Sequence, residues 1–243
     1  MKLVVCFPGI GYHCDKPLLY YSRKLAACAG YDHTLLLQYT YHKDGLRGSP
    51  AALREAFDTL YAQAEAQLSA VDWPQYDDVL FLSKSIGTAV SAAFAQRHGI
   101  PCRQILYTPL SLTFALAPQN ALAFLGTADP WSDASSVAAA ARANGTPLCL
   151  YENANHSLET GDVLHDLATL QDVMQKTQTF IADTPRWHFP SRHFPSRKEL
   201  TFAPQAVIIS CTKFMLWSIT QEVVRGSTRK FASGRSPCPQ EIP

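Results

Sequence analysis

Short apolar runs alternate with longer amphipathic segments over the first 183 residues. Several of the short runs are nearly continuous rather than alternating, which is typical of strands covered on both faces of a sheet. The predicted strands are Leu3–Phe7, Thr34–Gln38, Asp78–Leu82, Gln104–Tyr107, Ala121–Leu125 and Pro147–Tyr151.

The segments between these runs have the spacing and end signals of helices. One begins with Ser49 as a predicted N-cap and Pro50 at its first position, and two others stop at Gly99 and Gly145. The alternation of strand and helix predicts an α/β protein with a doubly wound, mostly parallel sheet of about six strands and helices on both faces. The predicted helices are Lys16–Ala29, Pro50–Leu68, Ile86–His98, Ser132–Asn144 and Asp162–Ile181.

Composition excludes several classes of protein. Of the 243 residues 47% are hydrophobic and 17% are charged, and the net charge is +1. These values exclude a disordered, collagenous or coiled-coil chain, and they give no argument for nucleic acid or an anionic membrane. No apolar stretch reaches the roughly 18–20 residues of a membrane span, and the first one is too short for a secretory signal.

The cysteine content favours a reducing compartment. The seven cysteines form an odd set without the CxxC spacing of a metal site, so we expect free thiols and a cytoplasmic location.

Charge and character change near residue 184. Residues 1–183 carry 12 Lys and Arg against 17 Asp and Glu, whereas residues 184–243 carry 9 against 3. The second segment contains a tandem repeat, 188–192 and 193–197, and is rich in Pro, Ser and Arg. We predict one domain over 1–183, followed by a basic, poorly ordered extension that is not an independent domain. Such an extension could contact an anionic partner, although a solvated segment is the simpler interpretation.

Ser85 follows the third predicted strand, in the sequence S-K-S-I-G at positions 83–87. Small residues on both sides permit a sharp strand-to-helix turn that pushes the serine hydroxyl clear of the sheet. The free amides and the dipole of the helix that follows favour a developing negative charge there. We predict that Ser85 is a nucleophile; the alternative is an ordinary helix N-cap.

Two later strand ends carry an acid and a base. Asp129 follows the fifth strand and His156 follows the sixth. Singly, Asp129 could cap the next helix and His156 could be solvated. Together they supply what a serine hydroxyl needs, because an imidazole must take its proton and a carboxylate must orient that imidazole.

A negatively charged tetrahedral intermediate also needs hydrogen-bond donors. We expect one from the backbone N–H of Ile86, directly after the nucleophile, and another from the glycine-bracketed turn after the first strand, through Ile10 or Gly11. This turn could instead cradle phosphate, but it lacks both the G-x-G-x-x-G fingerprint and the Walker Lys-Ser/Thr pair.

These four segments resemble the α/β-hydrolase fold superfamily over residues 1–183. The resemblance implies that Ser85 is the nucleophile, Asp129 the acid and His156 the base, and that the first strand lies between the second and the third. Ser83 departs from the family's usual glycine at the first position of the turn. The 13 residues of Thr108–Asn120 are too few for a cap domain, which favours a small substrate.

Residues beside these loops are candidates for the pocket. Tyr12, Tyr107 and Trp131 could line it, although packing is the commoner role for Tyr107 and Trp131. His13 is an alternative base. Lys84 could add positive potential at the site, or it could be an ordinary solvated lysine.

The sequence therefore predicts a serine hydrolase that cleaves a small ester, thioester or amide through an acyl-enzyme. No cofactor and no metal are expected, since no histidine has the spacing of a metal-ligand set. The partner implied is a small acyl substrate. Two alternatives stay open: a non-catalytic hydrolase-like binding protein, and an acyltransferase that uses the same three residues.

Overall fold

Six parallel strands form a single sheet in the computed structural model, which describes residues 1–42 and 45–183. Their order across the sheet is β2-β1-β3-β4-β5-β6, with β1 between β2 and β3 as expected. The predicted α/β class and parallel sheet are confirmed. The strands are β1 (Lys2–Phe7), β2 (His33–Leu36), β3 (Asp78–Lys84), β4 (Arg103–Tyr107), β5 (Ala121–Gly126) and β6 (Leu148–Tyr151).

The helices follow the sequence signals closely. Ser49 caps one of them, its hydroxyl accepting a hydrogen bond from the Ala52 amide at 3.2 Å. Sequence analysis missed a short helix inside Thr108–Asn120 and a 3-10 turn at Trp73–Gln75. The helices are α1 (Pro17–Cys28), α2 (Pro50–Leu68), α3 (Ile86–Arg97), α4 (Ser111–Ala115), α5 (Ala134–Ala143) and α6 (Val163–Ala182).

Helices cover both faces of the sheet. On one face α2 and α3 pack over alternate strand residues, among them Val5, Phe7 and Phe81. On the other face α1 and α6 cover the intervening residues, among them Cys6 and Leu82. Burial on both faces explains why the strands are continuously apolar in sequence.

Several sequence predictions concern the limits of this domain. The extension 184–243, with its tandem repeat, lies outside the described residues, so the boundary near 184 stays a prediction.

The five cysteines that the structure describes are free thiols. Among the described residues, no helix is long and apolar enough to cross a membrane.

Candidate active site

Ser85 sits on a strained turn between β3 and α3. Its backbone angles are φ 57° and ψ −129°, a conformation that non-glycine residues rarely adopt. The turn is held because the Ser85 amide donates to the Tyr107 carbonyl at 2.9 Å. Although Ser85 occupies the N-cap position of α3, its side chain makes no capping hydrogen bond, so the hydroxyl is available for other partners.

Ser83 fits the first position of this turn although the family usually has glycine there. Its side chain is fully buried, and its hydroxyl donates to the Ile105 carbonyl of β4 at 3.0 Å. The departure that sequence analysis noted is therefore accommodated by a satisfied buried hydrogen bond.

Gly87 is required by the approach of two backbone segments. A Cβ atom at this position would lie 2.3 Å from the Pro8 carbonyl oxygen and 2.4 Å from that of Phe7. In the turn after β1, Gly9 packs against the strand-to-helix turn of Ser85. A Cβ atom on Gly9 would lie 3.1 Å from the Ser85 Cβ. The loop after β1 and the start of α3 are thus packed backbone against backbone at the predicted nucleophile.

The structure brings the three predicted triad residues together. The Ser85 hydroxyl lies 2.7 Å from Nε2 of His156, and Nδ1 of the same ring lies 2.7 Å from Oδ2 of Asp129. Since an ionised carboxylate only accepts hydrogen bonds, the neutral ring carries its proton on Nδ1. Nε2 is then free to accept the serine proton.

Asp129 is held in place by its own loop. Its side chain is fully buried, and its second oxygen accepts a hydrogen bond from the Trp131 amide at 2.9 Å. The next helix, α5, is capped by Asp133 instead, whose carboxylate accepts from the Ser136 amide at 2.7 Å. The capping role weighed for Asp129 thus belongs to a different residue.

The loop that carries His156 is closed by hydrogen bonds of Asn155. The side-chain oxygen of Asn155 accepts from the Ser157 amide at 2.7 Å, and its backbone N–H donates to the Glu159 carbonyl at 2.8 Å. This local turn presents the imidazole toward the carboxyl ends of the strands, with one fifth of its side chain exposed.

The environment lowers the pKa of His156. Burial is the main cause, and the positive charge of Lys84 acts in the same direction, whereas Asp129 opposes both by its hydrogen bond and its charge. A histidine with a depressed pKa stays neutral, and so able to accept a proton, below the usual pH of its titration.

The predicted oxyanion donors are backbone amides in the turn after β1 and at the start of α3. In the turn after β1, the Gly9 and Tyr12 amides are used by hydrogen bonds to each other's carbonyls, at 3.1 and 3.3 Å. Within the part of the chain that the structure describes, the amides of Ile10, Gly11 and Ile86 make no backbone hydrogen bond. Ile86 is the first residue of α3, where amides lack a partner inside the helix.

The three pocket candidates lie in different environments. Trp131 is 39% exposed and its ring centroid is 5.8 Å from that of His156. Tyr12 is half-buried in the turn after β1. Tyr107 is fully buried, and its hydroxyl is bonded to Ser22 and Thr177 at 2.6 and 2.7 Å. Tyr107 is therefore a packing residue of the core, the commoner role for it, and does not line a pocket.

Two other residues beside the site are placed clearly. His13 is exposed, and its Nδ1 lies 3.3 Å from the amide of its neighbour Asp15. The interpretation of Lys84 as an ordinary solvated lysine is wrong, because this residue is 1% exposed.

Sequence analysis missed one residue that supports the turn. The Thr88 hydroxyl lies 2.6 Å from the Ser85 carbonyl and 2.6 Å from the Thr113 hydroxyl of α4. Its position three residues after the serine is the only sequence signal for this contact.

Over residues 1–42 and 45–183, no three His, Cys, Asp or Glu side chains cluster as metal ligands would.

No family model matches the sequence, and no curated protein matches it. Solved structures do match. A serine hydrolase homologue from Coxiella burnetii is 15% identical with a TM-score of 0.52, and covers 74% of this chain and 84% of its own. An esterase from Pyrococcus furiosus is 11% identical with a TM-score of 0.50, and covers 74% of this chain and 80% of its own. The chain has the α/β-hydrolase fold. The sequence resemblance to this superfamily is thereby confirmed at the level of the fold.

The connection between β4 and β5 is short. It carries only the five residues of α4 and their flanking turns, where a cap domain would need a long insertion. The three predicted triad residues follow β3, β5 and β6 at one edge of the sheet, which is where open parallel sheets place their sites.

Proposed function

We propose that this protein is a serine hydrolase that cleaves a small ester, thioester or amide through an acyl-enzyme. The observation that supports the proposal best is the unbroken chain of hydrogen-bond distances from Ser85 through His156 to Asp129, each 2.7 Å. A structural role for these groups would not require a strained serine, a buried carboxylate and a half-buried imidazole to meet at one point.

In the acylation step, Ser85 Oγ attacks the carbonyl carbon of the substrate while its proton passes to Nε2 of His156. The buried carboxylate of Asp129 keeps Nδ1 protonated and stabilises the imidazolium that forms. The carbonyl oxygen becomes negative, and the amides of Ile86 and of Ile10 or Gly11 are the donors available to it.

Acylation is completed when the imidazolium gives its proton to the leaving group as the bond between that group and the carbonyl carbon breaks. A water molecule then attacks the acyl-serine and passes a proton to Nε2, after which the acid is released and Ser85 regains its proton. An acyl acceptor other than water would use the same steps. Trp131, which lies exposed beside His156, is the residue best placed to contact a substrate.

The proposal is tested by labelling the full-length protein with a fluorophosphonate and mapping the modified peptide. We expect one label, on Ser85, and its loss in Ser85→Ala. Ser83→Ala is the matched control, because that serine is buried two residues away and bonded to Ile105. Labelling of Ser85→Ala at the rate of the unmodified protein would eliminate the assignment.

Substrates then separate the remaining possibilities. Nitrophenyl esters and thioesters of increasing acyl length are offered in water and in water with an added alcohol or amine. Acid as the sole product supports hydrolysis, whereas acylated acceptor formed faster than acid supports transfer. A protein that takes up the label but turns over none of these substrates would favour the non-catalytic alternative.

A further inference from the structure

Lys84 is a buried cation for which the triad mechanism has no use. It is the last residue of β3 and is 1% exposed. Among the described residues its ammonium group makes neither a hydrogen bond nor an ion pair, and its Nζ lies 4.8 Å from the centre of the Tyr12 ring. A lysine without a polar partner is among the rarest occupants of a protein interior.

The position of Lys84 in the strand makes this burial costly. Lys84 alternates with Leu80 and Leu82, which face the apolar layer between the sheet and the helices α1 and α6. A leucine or methionine in place of Lys84 would continue that layer without desolvating a charge. The fold alone therefore gives no reason for a lysine at this position, whereas the adjacent Ser85 does.

Tyr12 connects the ammonium group to the turn that carries the predicted oxyanion donors. Tyr12 closes that turn by the paired backbone hydrogen bonds with Gly9. Its hydroxyl accepts a hydrogen bond from the Leu18 amide at the start of α1, at 3.1 Å. The ring is thus fixed at its far end by α1 and attracted on its face by Lys84, so the turn between them has little freedom to move.

The geometry points to Lys84 as a positioning residue, which holds the oxyanion turn through the ring of Tyr12 while its charge acts on the His156–Asp129 pair. This inference rests on the proposed function, since it assigns to Lys84 an effect on the same reaction. Lys84 itself need not touch the substrate.

Electrostatics supports a link to pH. Burial lowers the pKa of Lys84 to about 7, against the opposing influence of the Asp129 carboxylate. The pKa of Tyr12 is raised by burial to about 12, so this tyrosine stays neutral over the working range. The ionisable groups around this face of the sheet include Cys6 on β1, Cys14 before α1, Arg23 on α1, Tyr107 on β4, Asp129, His156 and Glu159, whose charge acts on Tyr12.

The expected pH profile has two limbs. Activity rises as His156 loses its proton, and it falls above neutral pH as Lys84 loses its charge and releases the Tyr12 ring. Replacing Lys84 by Met removes a positive charge that lowers the pKa of His156, so the rising limb moves to higher pH. The falling limb disappears, and the maximum rate drops about tenfold, the factor that a cation–π contact supplies.

The experiment measures the rate of fluorophosphonate labelling of Ser85 from pH 5 to 10 in full-length wild type, Lys84→Met, Tyr12→Leu and the double variant. Lys16→Met is the matched control, because Lys16 is exposed and lies outside the site. We expect the profile of Lys16→Met to match wild type. We expect the double variant to be no slower than the slower single variant, since both single changes remove the same contact.

The outcomes separate this inference from the function on which it rests. If wild type takes no label on Ser85, the proposed function fails. If wild type is labelled but Lys84→Met keeps the wild-type profile, or if the losses of the two single variants simply add, only the positioning role is overturned.

A measurement on the wild-type protein covers the case in which Lys84→Met does not fold. Nitrogen-15 NMR of the lysine side chains should show one ammonium that titrates near neutral pH, with Tyr12 ring signals that move at the same midpoint. A Lys84 that stays charged beyond pH 9, or Tyr12 signals indifferent to its titration, would overturn the inference.

Discussion

Gly126 and Ala154 are in direct backbone contact, and this contact joins the loop of Asp129 to the loop of His156. A Cβ atom on Gly126 would lie 2.0 Å from the Ala154 carbonyl oxygen and 2.5 Å from its carbon. The same carbonyl accepts a hydrogen bond from the Ala128 amide at 3.0 Å. The Asn153 amide also donates to the Thr127 hydroxyl at 2.8 Å, so close backbone contact and one side-chain hydrogen bond set the spacing of the two loops.

Gly126→Ala should therefore disable the site. The added methyl group must push the His156 loop away from Asp129, and a displacement near 1 Å costs about 100-fold in rate. The measurement is the labelling rate of Ser85, with the free energy of unfolding determined alongside. Gly145→Ala is the control: its φ of 72° makes alanine strained, although nothing lies within 4 Å of its Cβ. That variant should lose about 1 kcal/mol of stability and keep its labelling rate.

The parallel sheet and the meeting of Ser85, Asp129 and His156 at one edge could be predicted because both depend on local patterns. Continuous apolar runs predict buried strands, and the residue that follows a parallel strand must lie at the same edge as the others. Ser85, Asp129 and His156 each follow such a strand. Their convergence therefore needed only the strand order, which the resemblance supplied.

The prediction of a solvated Lys84 is wrong because the predicted third strand ends two residues before the observed one. The predicted strand stopped at Leu82, which leaves Lys84 in a solvated turn, whereas β3 continues to Lys84 in register with Tyr107. Strand alternation then turns the lysine to the same side as Leu82. A strand end is decided by pairing with a neighbouring strand, and one sequence does not contain that information.

The second predicted strand is too long at its end, again because contacts with a distant element decide where the strand stops. It was predicted to reach Gln38 but ends at Leu36. The Gln38 backbone is bonded instead to the side-chain amide of Gln67 on α2, which accepts from its N–H at 3.0 Å and donates to its carbonyl at 2.9 Å. A glutamine side chain from a distant helix here imitates a strand partner, which no local pattern reveals.

Asp129→Asn should reduce kcat/KM for ester hydrolysis by about 10⁴-fold. The amide can present an N–H to the imidazole, which moves the ring proton to Nε2 and leaves no acceptor for the serine proton. Asp133→Asn is the matched control, because Asp133 caps α5 and asparagine caps helices equally well. A loss below tenfold in Asp129→Asn would mean that the carboxylate does not orient His156.

Arg103 should stabilise the fold without affecting the site. It begins β4, at the edge of the sheet opposite the triad, and pairs with Asp78 at 2.8 Å. Its guanidinium also donates at 3.0–3.1 Å to three carbonyl oxygens at the end of α6, those of Phe180, Ile181 and Asp183.

Arg103→Met removes one member of this buried network and leaves those carbonyl groups without their donor. We expect a loss of about 3 kcal/mol in the free energy of unfolding, measured by urea denaturation, with an unchanged labelling rate for the folded fraction. Exposed Arg142 on α5 is the control, and Arg142→Met should change stability by less than about 0.5 kcal/mol. A similar small change in Arg103→Met would show that the end of α6 is held by other contacts.

Stability should depend on pH through Lys84, in a direction that its burial fixes. The folded-state pKa is lowered from 10.5 to about 7, so between these values the unfolded chain binds more protons than the folded one. The free energy of unfolding then rises with pH across this window, by up to about 1.4 kcal/mol per pH unit. Below pH 7 both states carry the charge, and the full cost of burying it is present.

Comparison of wild type with Lys84→Met reveals this contribution, because the two proteins share all other titrating groups and differ otherwise only in the effect of the Lys84 charge on His156. We expect Lys84→Met to be the more stable protein at pH 6.5, and its advantage to shrink steadily from pH 7.5 to 9.5, by about 2 kcal/mol in urea denaturation. Lys16→Met, at an exposed position, should follow wild type at every pH. A constant difference between wild type and Lys84→Met would mean that the lysine keeps its charge when buried, and that the Tyr12 ring and the Asp129 carboxylate compensate for its lost hydration.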